Sequence, residues 1–154
     1  MEKLELLRNA AALLGLTGAA VRDLRTRTIP LWIFMLMAVS GLVLHLLEGS
    51  LLSWDLLIGC LTGVVFFGIS KLSREGIGYG DCLLILGMGL LLNPEILLTA
   101  GFSAFMAAGL AALVLFTVFH CKKELELPFA PFLLGGTVLA FFSCYEGLLT
   151  GWTL

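Results

Sequence analysis

The chain has 154 residues, of which 60% are hydrophobic and only 13% are charged, and its mean hydropathy is +1.07. Soluble domains usually carry about 25% charged residues, so this composition excludes an ordinary soluble domain and indicates an integral membrane protein. The formal net charge of -2 gives no indication of a nucleic-acid partner.

Six apolar stretches are candidates for membrane spans, because a helix needs about 20 apolar residues to cross a bilayer. They cover approximately residues 4–24, 30–47, 51–70, 81–92, 95–119 and 129–149. The fourth is short, since about eleven residues at a rise of about 1.5 Å reach only about 17 Å. We therefore predict an all-α polytopic membrane protein with about six transmembrane helices and a single domain over residues 1–154.

The first span resembles a signal peptide in its length and its small-residue end. However, Glu2 and Glu5 interrupt the basic region that such a peptide needs, and Arg8 interrupts the apolar run. We therefore expect an uncleaved first span.

Basic residues lie in alternate loops between the predicted spans. Seven of the nine are found there, namely Arg22, Arg25, Arg27, Lys71, Arg74, Lys122 and Lys123. Because basic loops remain on the cytoplasmic side of a membrane, these loops are predicted to face the cytoplasm and both termini to face away from it.

The residue types that commonly bind metals do not form a metal-binding pattern. Four cysteines, Cys60, Cys82, Cys121 and Cys144, lie in or beside apolar runs without any C-x-x-C pair. We predict that they are buried small apolar residues, and we predict no metal and no cofactor. His45 and His120 lie at span ends, where a solvated or interfacial position without a specific role is expected.

Three aspartates are placed where a carboxylate is unusual, namely Asp23, Asp55 and Asp81. Asp55 follows Trp54, and an interfacial position explains it. Asp23 could pair with the neighbouring arginines, and Asp81 could cap the helix that it begins. Both lie at the same predicted edge of the membrane, however, and two carboxylates brought close together can share one proton.

The glycines around Asp81 also favour a site in which two carboxylates act together. The stretch GIGYGD, residues 76–81, contains three glycines in six residues, which disfavours a stiff helix and lets a backbone or a substrate approach closely. A pair of carboxylates beside such a loop is the arrangement of an aspartyl protease, in which one carboxylate activates water and its protonated partner polarises the scissile carbonyl.

Three motifs then resemble one family. GYGD (residues 78–81) matches the G-x-G-D signature of intramembrane aspartyl proteases, and DLRTRTIP (residues 23–30) resembles the first-aspartate motif of type IV prepilin peptidases. LPFAPFLLGG (residues 127–136) resembles the segment that opens the last span of that family. The resemblance covers essentially the whole chain, and its length resembles the short peptidase-only members that serve Flp/Tad pili.

The resemblance implies a membrane enzyme that removes the short basic leader from prepilins or pilin-like proteins at the cytoplasmic face. It implies Asp23 and Asp81 as the catalytic pair. It further implies that Gly78 and Gly80 shape the loop, and that the segment with Pro128, Phe129 and Pro131 helps to form the site. The paired cysteines of the long bifunctional members are absent from the sequence, so the product is expected to remain without N-methylation.

This chain departs from the family pattern at two positions. Leu83 stands two residues after the second aspartate, where the family often has lysine, and Leu31 follows the Ile-Pro pair, where it often has asparagine. Three arginines lie near Asp23, whereas Asp81 opens an apolar stretch, so we expect Asp23 to be the base and Asp81 the acid.

Two other functions stay open on the sequence. A small proton-coupled transporter could use both aspartates as proton ligands, although polar residues do not continue across the midplane of the spans. A non-catalytic assembly factor would not need the aspartates. Small residues in span five permit close helix packing, which leaves a homo-oligomer open. The predicted partners are therefore the lipid bilayer and a pilin-like protein substrate, without nucleic acid.

Overall fold

The computed structural model describes residues 2–72, 78–118 and 127–150, and its regular structure in these ranges is helical. The helices are α1 (Glu2–Thr26), α2 (Leu31–Glu48), α3 (Trp54–Leu72), α4 (Tyr79–Gly89), α5 (Pro94–Thr117) and α6 (Ala130–Thr150). The predicted all-α membrane protein with a short fourth helix is confirmed, and each predicted boundary lies within three residues of the observed one.

Four of the described helices, α1, α2, α3 and α5, are long and apolar enough to cross a membrane. Their outer faces carry large apolar side chains, and Leu14, Leu36, Leu61 and Phe102 are each more than half exposed. Water would disfavour a surface of this kind, whereas lipid accommodates it.

The short helix α4 lies in the middle of the bundle and contacts α1, α2, α3 and α5. Leu84 and Met88 on this helix are fully buried. Because its 11 residues cannot cross a bilayer alone, α4 ends inside the bundle. Asp81 therefore lies in the first turn of a buried helix, outside the four span-length helices.

Glycines let α3 and α4 approach to backbone contact. A Cβ atom added at Gly59 would overlap the carbonyl oxygen of Gly89, and one added at Gly63 would lie 2.5 Å from Cδ1 of Leu86. Small residues at such a crossing permit close packing of membrane helices. This crossing fixes the position of α4 and hence of Asp81.

The helix ends gather into two groups at opposite ends of the bundle. The C-terminus of α1 and the N-termini of α2, α4 and α6 meet at what we call the aspartate end, where Asp23 contacts Ala130 and Ile29 packs against Gly80. At the far end, Arg8 forms an ion pair with Glu48, with 3.4 Å between Nη1 and Oε2. Among the described connections, the one between α1 and α2 therefore lies at the aspartate end and the one between α2 and α3 at the far end.

The predicted loose glycine loop is wrong in part, because α4 already begins at Tyr79 and includes Gly80 and Asp81. Among the described residues of this motif only Gly78 precedes the helix, and it supplies the N-cap position. Gly76 lies outside the described residues. The glycines start a helix here instead of preventing one, because the surrounding helices bury it.

The prediction of a solvated or interfacial His45 is also wrong. Its side chain is only 3% exposed, and its ring Nδ1 lies 2.9 Å from Oγ of Ser50. Gly49 ends α2 in the left-handed conformation, which turns the chain back so that Ser50 reaches the ring. His120 lies outside the described residues.

The cysteine prediction is confirmed for Cys82, which is buried. Cys60 is partly buried, and Cys144 is exposed, so the prediction is wrong for Cys144, which lies on the outer face of α6. Cys121 lies outside the described residues.

Candidate active site

Asp23 is buried near the C-terminus of α1, with 6% of the residue exposed. Its Oδ2 accepts a buried hydrogen bond of 3.0 Å from the backbone N–H of Ala130. The N-terminus of α6 therefore supplies a polar partner for this buried side chain.

The first turn of α6 explains why this donor is available. The first N–H groups of a helix have no partner within it, and Ala130 is the first residue of α6. Pro131 has no N–H of its own, and the N–H of Leu133 already donates to the carbonyl of Phe129 over 3.1 Å. The amide of Ala130 is therefore directed to the aspartate.

Asp81 lies in the first turn of α4 and is partly buried. Burial raises the pKa of its carboxyl group from 3.8 to about 6, with a smaller contribution from the negative charge of Asp23. The two carboxylates, 58 residues apart in the sequence, thus lie near enough for one charge to act on the other. Asp81 lies where burial favours its neutral form.

The two glycines of the motif have separate structural roles. The carbonyl of Gly78 accepts the N–H of Asp81 over 3.1 Å, and a Cβ atom at Gly78 would lie 3.2 Å from Oδ2 of Asp81. A Cβ atom at Gly80 would lie 3.0 Å from Cβ of Ile29. Gly78 therefore leaves space beside the carboxylate, and Gly80 lets the loop between α1 and α2 pack on α4.

The segment before α6 borders the same end of the bundle. Pro128 and Phe129 precede α6, and Pro131 lies in its first turn. The ring of Phe129 contacts the ring of Phe105, with 4.8 Å between the centroids. All predicted site residues therefore lie at the aspartate end.

Three contacts at this end were missed by sequence reasoning. The amide of Ala130 binds Asp23, Ile29 packs on Gly80, and the thiol of Cys82 donates to the carbonyl of Phe66 over 3.5 Å. The Ile-Pro pair of the first motif was a signal for Ile29. An amide that binds a side chain 107 residues away has no signal in the sequence.

The arginines beside Asp23 do not serve as its charge partners. Arg22, Arg25 and Arg27 are exposed, and among the described residues the ion pair that forms is the one between Arg8 and Glu48. The polar partner of Asp23 is the N-terminus of α6 instead.

This arrangement is suited to general acid–base chemistry. A charged carboxylate can take a proton from water, and a neutral carboxyl can donate one to a carbonyl oxygen. When the surroundings of two carboxyl groups give them different proton affinities, the group with the higher affinity usually acts as the acid and the other as the base. Among the described residues, no group of three or more His, Cys, Asp or Glu side chains is arranged to bind a metal ion.

Comparison with known proteins indicates the family of the chain. No curated protein and no solved structure gives a significant match to the chain. The model of the type IV leader peptidase family matches residues 10–114, a range that includes both aspartates and ends before the segment that opens α6. Since this match covers well over half of the 154 residues, the chain belongs to the type IV leader peptidase family.

Proposed function

We propose that the chain is a membrane aspartyl endopeptidase that removes the basic leader from prepilins or pilin-like precursors. The family implies a peptidase. The aspartic mechanism is supported above all by one observation, that Asp23 and Asp81 come from distant parts of the chain to the same end of the bundle, near enough for the charge of Asp23 to raise the pKa of Asp81.

In this mechanism Asp23 is the general base. Its carboxylate takes a proton from a water molecule, whose oxygen attacks the carbonyl carbon of the scissile peptide. Asp81 donates its proton to the carbonyl oxygen, and a tetrahedral diol forms. When the C–N bond breaks, the proton held by Asp23 passes to the leaving amine and a diol proton returns to Asp81. The pair ends in its starting protonation state.

We place the site at the cytoplasmic face. Arg22, Arg25 and Arg27 are exposed at the aspartate end, and Lys71 is exposed in the last turn of α3. Basic residues at the end of a bundle favour retention on the cytoplasmic side. A basic leader would meet this face before translocation.

This proposal is tested by incubating the purified chain in detergent with a precursor that carries a basic leader before an apolar segment. We expect mass spectrometry to show loss of the leader and a product with an unmodified amine, also when a methyl donor is present. An intact precursor would contradict the peptidase, and a methylated product would contradict the peptidase-only assignment.

A further inference from the structure

His45 is a buried polar side chain that the proposed mechanism does not use. It lies in the last turn of α2, with 3% of the residue exposed, and its ring Nδ1 lies 2.9 Å from Oγ of Ser50. Buried polar groups in proteins are nearly always hydrogen-bonded. The second ring nitrogen, Nε2, therefore also needs a partner.

The C-terminus of α4 supplies this partner. The ring of His45 is hydrogen-bonded to the backbone of Leu90, the residue that follows α4. The N–H of Leu90 already donates to the carbonyl of Leu86 over 3.2 Å, so the group that faces the ring is the carbonyl oxygen of Leu90. A Cβ atom added at Gly41, one turn before His45 in α2, would lie 2.6 Å from this oxygen. The oxygen thus lies against the face of α2 that carries Gly41 and His45.

The sequence explains why this carbonyl needs a donor from another helix. A helical carbonyl accepts the N–H of the residue four positions later, which for Leu90 is Pro94. Proline has no N–H, and a buried carbonyl without a donor is unfavourable. A carbonyl oxygen only accepts hydrogen bonds. Because Nδ1 of His45 faces Ser50, Nε2 is the nitrogen that carries the proton and donates to Leu90.

This contact lies at the opposite end of α4 from Asp81. Leu90 follows Asp81 by nine residues, which is about 14 Å along a helix. The glycine crossing of α3 and α4 sets the distance between these two helices, whereas a hydrogen bond at the end of α4 sets its position along its own axis. A helix held in this way keeps Asp81 at one depth, where burial and the charge of Asp23 act on it.

We infer that His45 is a positioning residue for Asp81, on which it acts through the carbonyl of Leu90 and the length of α4. This inference rests on the proposed function and deepens it, because the depth of Asp81 decides whether its carboxyl group meets Asp23 across a substrate. His45 takes no part in the proton transfers themselves.

Two amide side chains distinguish the two nitrogens of the ring. The side-chain nitrogen of glutamine can take the place of Nε2, whereas that of the shorter asparagine can take the place of Nδ1. His45→Gln therefore keeps a donor for Leu90, and His45→Asn keeps only a partner for Ser50. Both variants remove the imidazole ring and retain a polar amide, so they form a matched pair. The charged groups near the ring are the same in both variants, namely Arg8, Glu48 and Asp55.

The first readout is the titration of Asp81, followed by infrared spectroscopy of the purified chain in detergent. The carboxyl band of Asp81 is identified by its loss in Asp81→Asn. We expect a midpoint of about 6 in the unmutated chain and in His45→Gln. His45→Asn should have a lower midpoint, because a released α4 lets water reach the carboxyl group and moves it away from Asp23. Equal midpoints in all three proteins would overturn the inference.

The second readout is the kinetics of leader cleavage. We expect His45→Asn to lower kcat about tenfold or more with little change in KM, because a misplacement of about 1 Å can reduce a rate about 100-fold. His45→Gln should retain most of the activity. Thermal unfolding of both variants is measured alongside, since a general loss of stability lowers the unfolding temperature without moving the midpoint of Asp81. Equal losses of kcat in the two variants would contradict a role for the Nε2 donor.

Ser50→Ala provides a second variant if His45→Asn does not fold. It removes the partner of Nδ1, which lies 2.9 Å away, and so lets the ring turn away from Leu90. The midpoint of Asp81 and kcat should both fall in this variant, by less than in His45→Asn. An unchanged midpoint in Ser50→Ala, together with an unchanged kcat, would count against the inference.

The outcomes are distinct for the two claims. Leader removal by the unmutated chain, together with equal midpoints in the variants, rejects the role of His45 and leaves the peptidase in place. A lower midpoint in His45→Asn without leader removal by the unmutated chain supports the coupling of His45 to Asp81 and rejects the peptidase.

Discussion

At the scale of single residues, the two aspartates differ because their surroundings differ. The carboxylate of Asp23 accepts the N–H of Ala130, whereas the carboxyl of Asp81 is held by burial at a pKa of about 6. Every residue type except proline keeps this backbone N–H, so the donor to Asp23 is built into the start of α6. In the proposed mechanism this difference in surroundings makes Asp23 the base and Asp81 the acid.

The rate of leader cleavage should depend on the protonation of Asp81. If the neutral form is the acid, we expect kcat/KM of the purified chain to fall as the pH rises through about 6, the pKa of this carboxyl. A rate that rises through the same pH would show that the charged form is needed, and would reverse the two roles.

Protein stability provides an independent check of the same pKa. Because the pKa of Asp81 is higher in the folded protein than its ordinary value of 3.8, the folded state binds the proton more tightly. The stabilisation is complete below the ordinary value and is lost as the pH rises to about 6. Thermal unfolding in detergent should show this slope in the unmutated chain and a smaller one in Asp81→Asn.

Gly80 should tolerate no branched side chain. Its Cα faces Ile29 so closely that an added Cβ atom would lie 3.0 Å from Cβ of that residue. We therefore expect Gly80→Val to displace the loop between α1 and α2 and to lower the cleavage rate, although less than loss of an aspartate. Gly68→Val, at an open position, is the control, and equal activity of both variants would contradict this role for Gly80.

At the scale of helices, the crossing of α3 and α4 positions Asp81. Gly59 and Gly89 meet backbone to backbone, so a side chain at either position forces the helices apart. We expect Gly59→Leu to lower the free energy of unfolding by about 1–3 kcal/mol, the usual cost of an overpacked core, and to reduce cleavage as well.

Thermal unfolding of the detergent-solubilised variants measures this effect. Gly68→Ala lies on the same helix at an open position, and alanine favours a helix more than glycine does, so this control should unfold at the same or a higher temperature. A Gly59→Leu variant as stable as the unmutated chain would show that the crossing is not tight.

The helices were predictable from the sequence because uninterrupted apolar runs end at charged residues, glycines and prolines. For the proposed site, the motifs indicated Asp23 and Asp81, which the structure brings to one end of the bundle, but not the amide of Ala130. His45 shows the same limit, because its burial depends on the backward turn that brings Ser50 to its ring. Contacts of this kind form where the ends of different helices meet, and no local sequence pattern indicates which ends will meet.

At the scale of the whole molecule, the orientation in the membrane decides which substrates the site can meet. The aspartate end carries exposed Arg22, Arg25 and Arg27. Single cysteines at Lys71 and Gly49, introduced into a cysteine-free variant, should differ in labelling by a membrane-impermeant thiol reagent in intact cells. Gly49 should react and Lys71 should be protected, and the opposite pattern would place the site on the wrong face for a cytoplasmic leader.

The central claim is that Asp23 and Asp81 act as one catalytic unit, and amide substitutions test it most directly. Asp23→Asn, Asp81→Asn and the double variant are each co-expressed with a pilin-like precursor, whose mass reports leader removal. Asp55→Asn is the control, since Asp55 is exposed at the start of α3. We expect each single variant to accumulate in the membrane and to lose cleavage by orders of magnitude. The double variant should be hardly worse, because residues that act as a unit are not additive, and Asp55→Asn should cleave normally. Leader removal with both aspartates replaced would contradict the account.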